Sequence, residues 1–227
     1  MTVRKLPLRK SAAAVAALDI DTPESRGVRK QRTKTNLQSA ALDLMGAGRG
    51  FASLSLREIT RAAGVVPASF YRHFRDMDEL GLALVEESGV TLRRLLREAR
   101  RTGLPPTHML RSSVSIYKTY VEQHRLHFLF ISGERGGGST VIRKAIRNEE
   151  THFANEMAQD MRAMGILPEL SIGTLQMLSG LVVTTMINAA IDILDLPSGQ
   201  ARLEREMVDN FVRQLRLIFL GARIWRD

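Results

Sequence analysis

The stretch from Leu54 to Leu80, LSLREITRAAGVVPASFYRHFRDMDEL, constrains the chain more than any other part of it. Its punctuation sets two short helices on either side of a glycine turn, which is helix-turn-helix geometry. Ser55-Leu56-Arg57-Glu58 reads as a capping box, with the Ser55 hydroxyl placed for the backbone N–H of Glu58. Leu56 and Ile59 fall on the inner face. Gly64 stands where the turn needs a left-handed residue. Ala62 and Ala63 are small, which lets the two helices approach. Pro67 suits the first turn of the second helix, where a missing N–H costs nothing. Val65 and Phe70 are placed to seal the pair against Leu44 and Ile59. Ala68, Ser69, Tyr71, Arg72 and His73 remain exposed. From a helix seated in a major groove, such a set reaches base edges and phosphates.

Charge points the same way. The net charge is +9 over 227 residues, but residues 1–76 carry 14 Lys/Arg against 6 Asp/Glu, and the remainder is nearly balanced. A basic third joined to a neutral body suits contact with a polyanion at one end. The chain has no cysteine and five scattered histidines. Disulfides and thiolate metal sites are thereby excluded, and a structural zinc site is not expected. A reducing, intracellular setting is permitted.

Residues 1–26 read as a flexible basic arm. The Ala-rich run Ser11–Leu18 follows basic residues, as in a signal peptide, but it is short and is followed at once by acids. From about Val28 the pattern is helical throughout. Leu37, Ala41, Leu44 and Met45 form one stripe at helix spacing. Asp76-Met77-Asp78-Glu79 reads as a second capping box, opening a long helix to about Arg101. Further helices are expected near 107–125, 139–164, 169–194 and 198–225, with a short apolar piece around Phe128–Ile131 and a flexible glycine-rich loop from Gly133 to Thr140. Aromatic residues are only 5%, and no stretch alternates with period two. The expected fold class is all-α.

LREITRAAGV, then FYRHF, then DELG, resembles the TetR family of bacterial transcriptional regulators, over about Val28–Glu87. PASFYRHFRDMDELGLALVEESG is similar to a narrower branch, the FabR/DesT-type repressors of unsaturated fatty acid synthesis. Thr60 departs from the family, which usually has Ala there. A Thr at that position can bond back to its own helix. Carried over by position, the resemblance implies that Pro67, Ala68 and Ser69 face bases. Tyr71 and His73 would hold phosphates, and Arg72 either. The helix N-terminus at Ser55 would offer N–H groups to another phosphate. Arg29, Lys30, Arg32 and Lys34 would clamp the flank. Residues 27–77 are then the DNA-binding unit, and residues 78–227 bind ligand and dimerise. The helix from Asp76 enters the ligand unit and acts as a lever between the two.

Other constellations fail. Glu149-x-x-His152 has the spacing of a di-iron ligand pair, but the second copy and facing carboxylates are missing. Gly133–Thr140 lacks the Lys of a phosphate-binding loop and follows no strand. No nucleophile motif is present, so no catalytic residue, metal or cofactor is expected, and the chain is read as a non-enzyme. The rival from another class is an enzyme or small-molecule carrier with an incidental basic arm, which would show no sequence-specific DNA retention. Leu170–Ile191 is long enough to span a membrane. Its scattered Ser, Thr, Gln and Asn, its acidic flanks and the lack of an aromatic belt argue instead for a helix buried on most sides. No membrane partner is expected, and the location is cytoplasmic.

The last helix repeats Leu203, Met207, Phe211, Leu215 and Phe219, with Val208, Val212 and Ile218 beside them. Such a stripe packs within one protomer or builds a dimer interface. The family resemblance favours the interface, with Phe211 in it. A homodimer also sets two recognition helices about 34–36 Å apart on a palindromic duplex. Apolar residues on several helices, among them Tyr117, Phe128, Phe153, Met157, Met177 and Leu181, are expected to line a ligand pocket. Met suits a flexible ligand because it repacks at low cost. The FabR/DesT resemblance implies long-chain acyl-CoA as that ligand. Arg135, Arg143, Lys144 and Arg147 are candidates for its head group. The alternative is a repressor of efflux or catabolic genes that senses another apolar molecule.

Overall fold

A computed structural model of the protein describes residues 26–100, 106–197 and 199–226. The expected basic arm lies outside the described residues, apart from Arg26. Among those described, every regular element is helical: α1 (Arg26–Gly46), α2 (Leu56–Ala62), α3 (Pro67–Phe70), α4 (Met77–Arg100), α5 (Pro106–Gln123), α6 (Arg125–Glu134), α7 (Thr140–Ala163), α8 (Ile172–Leu194) and α9 (Ala201–Ile224). A single 3-10 turn at Phe51–Ser53 links α1 to α2. The fold is all-α, with the helix-turn-helix at the N-terminal end.

Local chemistry explains the short elements. The Ser55 hydroxyl accepts from the Glu58 N–H at 3.3 Å, and the Glu58 carboxylate accepts from the Ser55 N–H at 3.0 Å. That reciprocal pair starts a helix of 7 residues too short to nucleate unaided. Gly64 ends it with φ of +67°, a backbone that an L side chain resists. Thr60 donates to the Arg57 carbonyl at 3.2 Å, so its hydroxyl is satisfied inside a buried contact. Only Ala63 of the expected small pair lies at the helix contact, because Ala62 faces solvent. The box expected at Asp76 is half made. The Asp76 carboxylate accepts from the Glu79 N–H at 2.8 Å, but Glu79 turns to the Arg75 N–H at 2.6 Å.

The core of the N-terminal unit does not close on itself. Leu37, Ile59, Phe70 and Phe74 pack with Leu80 and Leu84 of α4, and with Phe130 of α6 and Ile142 of α7. Phe51 meets Phe130 edge-on, with ring centroids 5.1 Å apart. One apolar cluster therefore runs across the expected boundary at residue 77. Two bare positions let α4 and α7 approach. A Cβ at Gly81 would stand 2.4 Å from Ile142 Cδ1, and one at Gly89 would stand 2.4 Å from a Glu149 carboxylate oxygen.

The segment expected as a short apolar piece is the 10-residue helix α6. The glycine-rich connection is held rather than loose. Ser139 caps α7 by accepting from the Ile142 N–H at 3.2 Å, and Arg143 donates to the Gly137 carbonyl and to Thr140 Oγ1.

The C-terminal pair corrects two expectations. Phe211 is 4% exposed, packed with Val114, Val182, Val212 and Leu215 inside the protomer. The stripe assigned to the interface is thus a core stripe. The outward face of α9 is instead Leu217, Leu220 and Ile224, and α8 exposes Met177, Leu181 and Ile191. Nor is α8 buried on most sides as expected: it is apolar enough by length and composition to cross a membrane, and only 39% of its apolar span is buried in the protomer.

Candidate nucleic-acid interface and ligand cavity

The N-terminal unit presents one face made from α1 and the turn after α3. Backbone bonds from Ser69 to the Val66 carbonyl at 2.8 Å and from His73 to the Phe70 carbonyl at 2.9 Å extend the helical winding past Phe70. That winding buries Phe70 and Phe74 and leaves Pro67, Ala68, Tyr71 and Arg72 exposed, with Ser69 and His73 half-buried. Lys34 reaches the same face and sits 5.9 Å from the centroid of the Phe74 ring. His73 is held below the ordinary histidine range, first by burial and then by the charges of Lys30, Lys34 and Arg72. A neutral imidazole among three cations is a place where a phosphate relieves repulsion.

The Ser55 hydroxyl and its own N–H are both bonded to Glu58, so a phosphate at this helix N-terminus would meet the amides that follow. Arg49 holds Glu58 at 2.7 Å, and that contact first, then Ser55, lowers the carboxyl to about 2.

The body holds a partly open cavity of about 180 Å³ between α4, α5, α6, α7, α8 and α9. Tyr117, Phe128, Phe153 and Met157 form part of its wall. Met177 and Leu181 do not. They are 52% and 54% exposed on the far side of α8, while Val182, Val183, Met186 and Ile187 of that helix line the wall. Apolar side chains recur around the whole of this helix, so its inner phase is set by packing and not by sequence.

Two carboxylates missed at the sequence level, Glu149 and Glu150, also line the cavity. Each is matched by an arginine outside the wall. Arg93 of α4 bonds Glu149, and Arg135 bonds Glu150 at 2.7 Å and Asn188 at 3.3 Å. Arg93 also stands 5.9 Å over the Phe153 ring. The Glu149-x-x-His152 spacing was the available signal, and it pointed to metal chemistry. No group of metal-ligating side chains occurs among the described residues. Beside the cavity, Arg135, Arg147, Glu150, Ile187 and Asn188 border a wider, more polar depression that shares Glu150 and Ile187 with it. Of the four cations expected near the mouth, Arg135 and Arg143 are already engaged.

Comparison with known proteins is consistent with both halves. Residues 37–84 match the family described as "Bacterial regulatory proteins, tetR family". Residues 106–214 match the "Tetracyclin repressor-like, C-terminal domain". Among solved structures, the fatty acid degradation regulator FadR from Bacillus halodurans is similar at a TM-score of 0.63 and 16% identity, over 86% of this chain and 97% of that one. A TetR-family transcriptional regulator from Syntrophomonas wolfei is similar at 0.69 and 14% identity, over 87% and 100%. A transcriptional regulator from Pseudomonas aeruginosa PAO1 reaches 0.68 and 19% identity, over 90% and 99%.

Proposed function

The chain belongs to the TetR family of bacterial regulatory proteins, and from that we propose that it is a cytoplasmic, homodimeric repressor whose operator affinity is set by an apolar ligand. One observation carries the coupling. Val85, Ser88, Gly89 and Leu92 of α4 line the cavity, and Leu80 and Leu84 of the same helix belong to the core beneath the recognition segment. A ligand that favours one placement of α4 therefore favours one placement of the DNA-facing side chains. A differential affinity of a few kcal/mol between the two placements is enough to switch binding.

Pro67, Ala68 and Ser69 read bases in this scheme, Tyr71, His73 and Lys34 hold phosphates, and Arg72 serves either. Dimerisation covers the outward faces of α8 and α9, where Met177, Leu181, Leu217 and Leu220 stand exposed. Residues 27–77 then act as the DNA-binding domain and 78–227 as the ligand-binding and dimerisation domain.

The FabR/DesT resemblance supports genes of unsaturated fatty acid metabolism as targets and long-chain acyl-CoA as the ligand. The fold of the Bacillus halodurans regulator is compatible with that reading. A second reading, repression of efflux or catabolic genes in response to another apolar molecule, is favoured by the two cavity carboxylates and by the engagement of Arg135 and Arg143. The test is titration of oleoyl-CoA and palmitoyl-CoA into a complex with a duplex selected from random sequence. Different shifts in operator affinity at micromolar levels or below support the acyl-CoA reading. Equal effects, or none, leave the second.

A further inference from the structure

Among the side chains of the wall, Tyr117 is packed through its ring but carries a buried hydroxyl that the packing does not use. It is 4% exposed, its ring meets Phe128 edge-on at 5.8 Å, and its hydroxyl has no hydrogen-bond partner among the described residues. Phenylalanine would fill the same space without the desolvation cost of a buried, unbonded hydroxyl. Burial pushes the phenol well above its ordinary range, so it stays protonated and can donate to an acceptor that reaches it.

The charges around it narrow what it can meet. Glu149 and Glu150 are neutralised by Arg93 and Arg135. An anionic group entering the cavity finds no cation on the wall to receive it. A cationic group must strip a carboxylate from its arginine. An uncharged group disturbs neither pair. We propose that the cavity selects an uncharged, largely apolar molecule or chain segment bearing one oxygen acceptor, such as a ketone, ester or thioester carbonyl, which accepts a hydrogen bond from Tyr117 Oη.

This rests on the reading of the cavity as the ligand site, and the experiment separates the two. Calorimetric titration of the full-length protein uses 2-decanone, its isostere 2-methyl-1-decene, in which C=CH2 replaces C=O, and decanoate. Tyr117→Phe is expected to weaken 2-decanone about tenfold, the effect of one lost hydrogen bond, and to leave the alkene unchanged. Decanoate is expected to bind the wild type at least tenfold more weakly than the ketone. The variant should melt at or above the wild-type temperature, because the hydroxyl supports nothing in the free protein. Equal losses for ketone and alkene, no loss for either, tighter binding of decanoate, or a lower melting temperature would each overturn the inference while leaving the cavity as a ligand site. If the wild type binds none of the three, the reading of the cavity falls and the inference with it.

Discussion

Leu181→Glu and Phe211→Glu place the same carboxylate on two neighbouring helices, and the structure predicts opposite failures. Phe211 is 4% exposed within an all-apolar cluster. A carboxylate there loses its hydration without a partner, at several kcal/mol, and the lost ring contacts add roughly 3 kcal/mol or more. Together these approach the whole stability of a domain, about 5–15 kcal/mol, so Phe211→Glu should unfold the chain. Leu181 is 54% exposed in the protomer, where such a change alters stability by less than about 0.5 kcal/mol. In a two-fold dimer the substitution enters the same interface twice. Two buried carboxylates at several kcal/mol each, with tenfold for about every 1.4 kcal/mol, weaken association at least about a thousandfold. Sedimentation equilibrium gives the dimer constant, circular dichroism the fold, and fluorescence anisotropy the affinity for a full operator and for a half-site. Leu181→Glu should be a folded monomer that retains weak half-site binding. An unchanged dimer with normal operator affinity would refute the placement of the interface on the outer face of α8.

Four further outcomes are expected. Replacing Ser69 or Arg72 should change which bases are preferred across a panel of single-base operator variants, whereas Tyr71→Phe should weaken all of them alike. His73 is depressed by burial and by Lys30, Lys34 and Arg72; a phosphate raises it again, so operator affinity should increase from about pH 8 to about pH 6, and anisotropy on His73→Gln should show that slope removed. Glu58, lowered to about 2 chiefly by Arg49, stabilises the fold above the ordinary carboxylate range and loses that contribution as the pH falls towards about 2; melting curves of Glu58→Gln should lack that part of the acid sensitivity. Gly81→Ala gains up to about 1 kcal/mol of helix propensity but drives a methyl against Ile142, which is 0% exposed, at an overpacking cost of about 1–3 kcal/mol. Its stability should fall by about 1 kcal/mol, seen as a lower melting temperature, and a rise would mean that Ile142 swings aside.

The helix-turn-helix was legible because its determinants are local. The Ser55–Glu58 box, the positive φ of Gly64 and the first-turn proline each act within a few residues, and most of the side-chain phase of so short a unit follows, Ala62 being the exception. The helices of the body were legible as helices but not as faces. On α8 nearly every position from Leu175 to Ile187 is apolar or small, so periodicity carries no inner direction, and Met177 and Leu181 were assigned to the wrong side. On α9 two apolar stripes coexist. The one through Phe211 and Leu215 is the stronger in sequence and is buried in the protomer, while Leu217, Leu220 and Ile224 form the outward one. The ion pairs behind the cavity wall join residues far apart in the chain, such as Arg93 and Glu149, and no local pattern announces them.

The bare positions on α4 have a mechanical consequence. With Ile142 lodged against Gly81 and Glu149 against Gly89, sliding α4 along α7 drives each side chain into a flanking turn, so translation is blocked and tilting is the easier motion. Gly89, at the cavity wall, is then the fulcrum. From there to Met77 is roughly 18 Å of helix, at about 1.5 Å per residue. A tilt of about 5° swings Met77 by about 1.6 Å over that arm. In a two-fold assembly the two swings add, and the gap between recognition segments changes by about 3 Å out of about 34–36 Å.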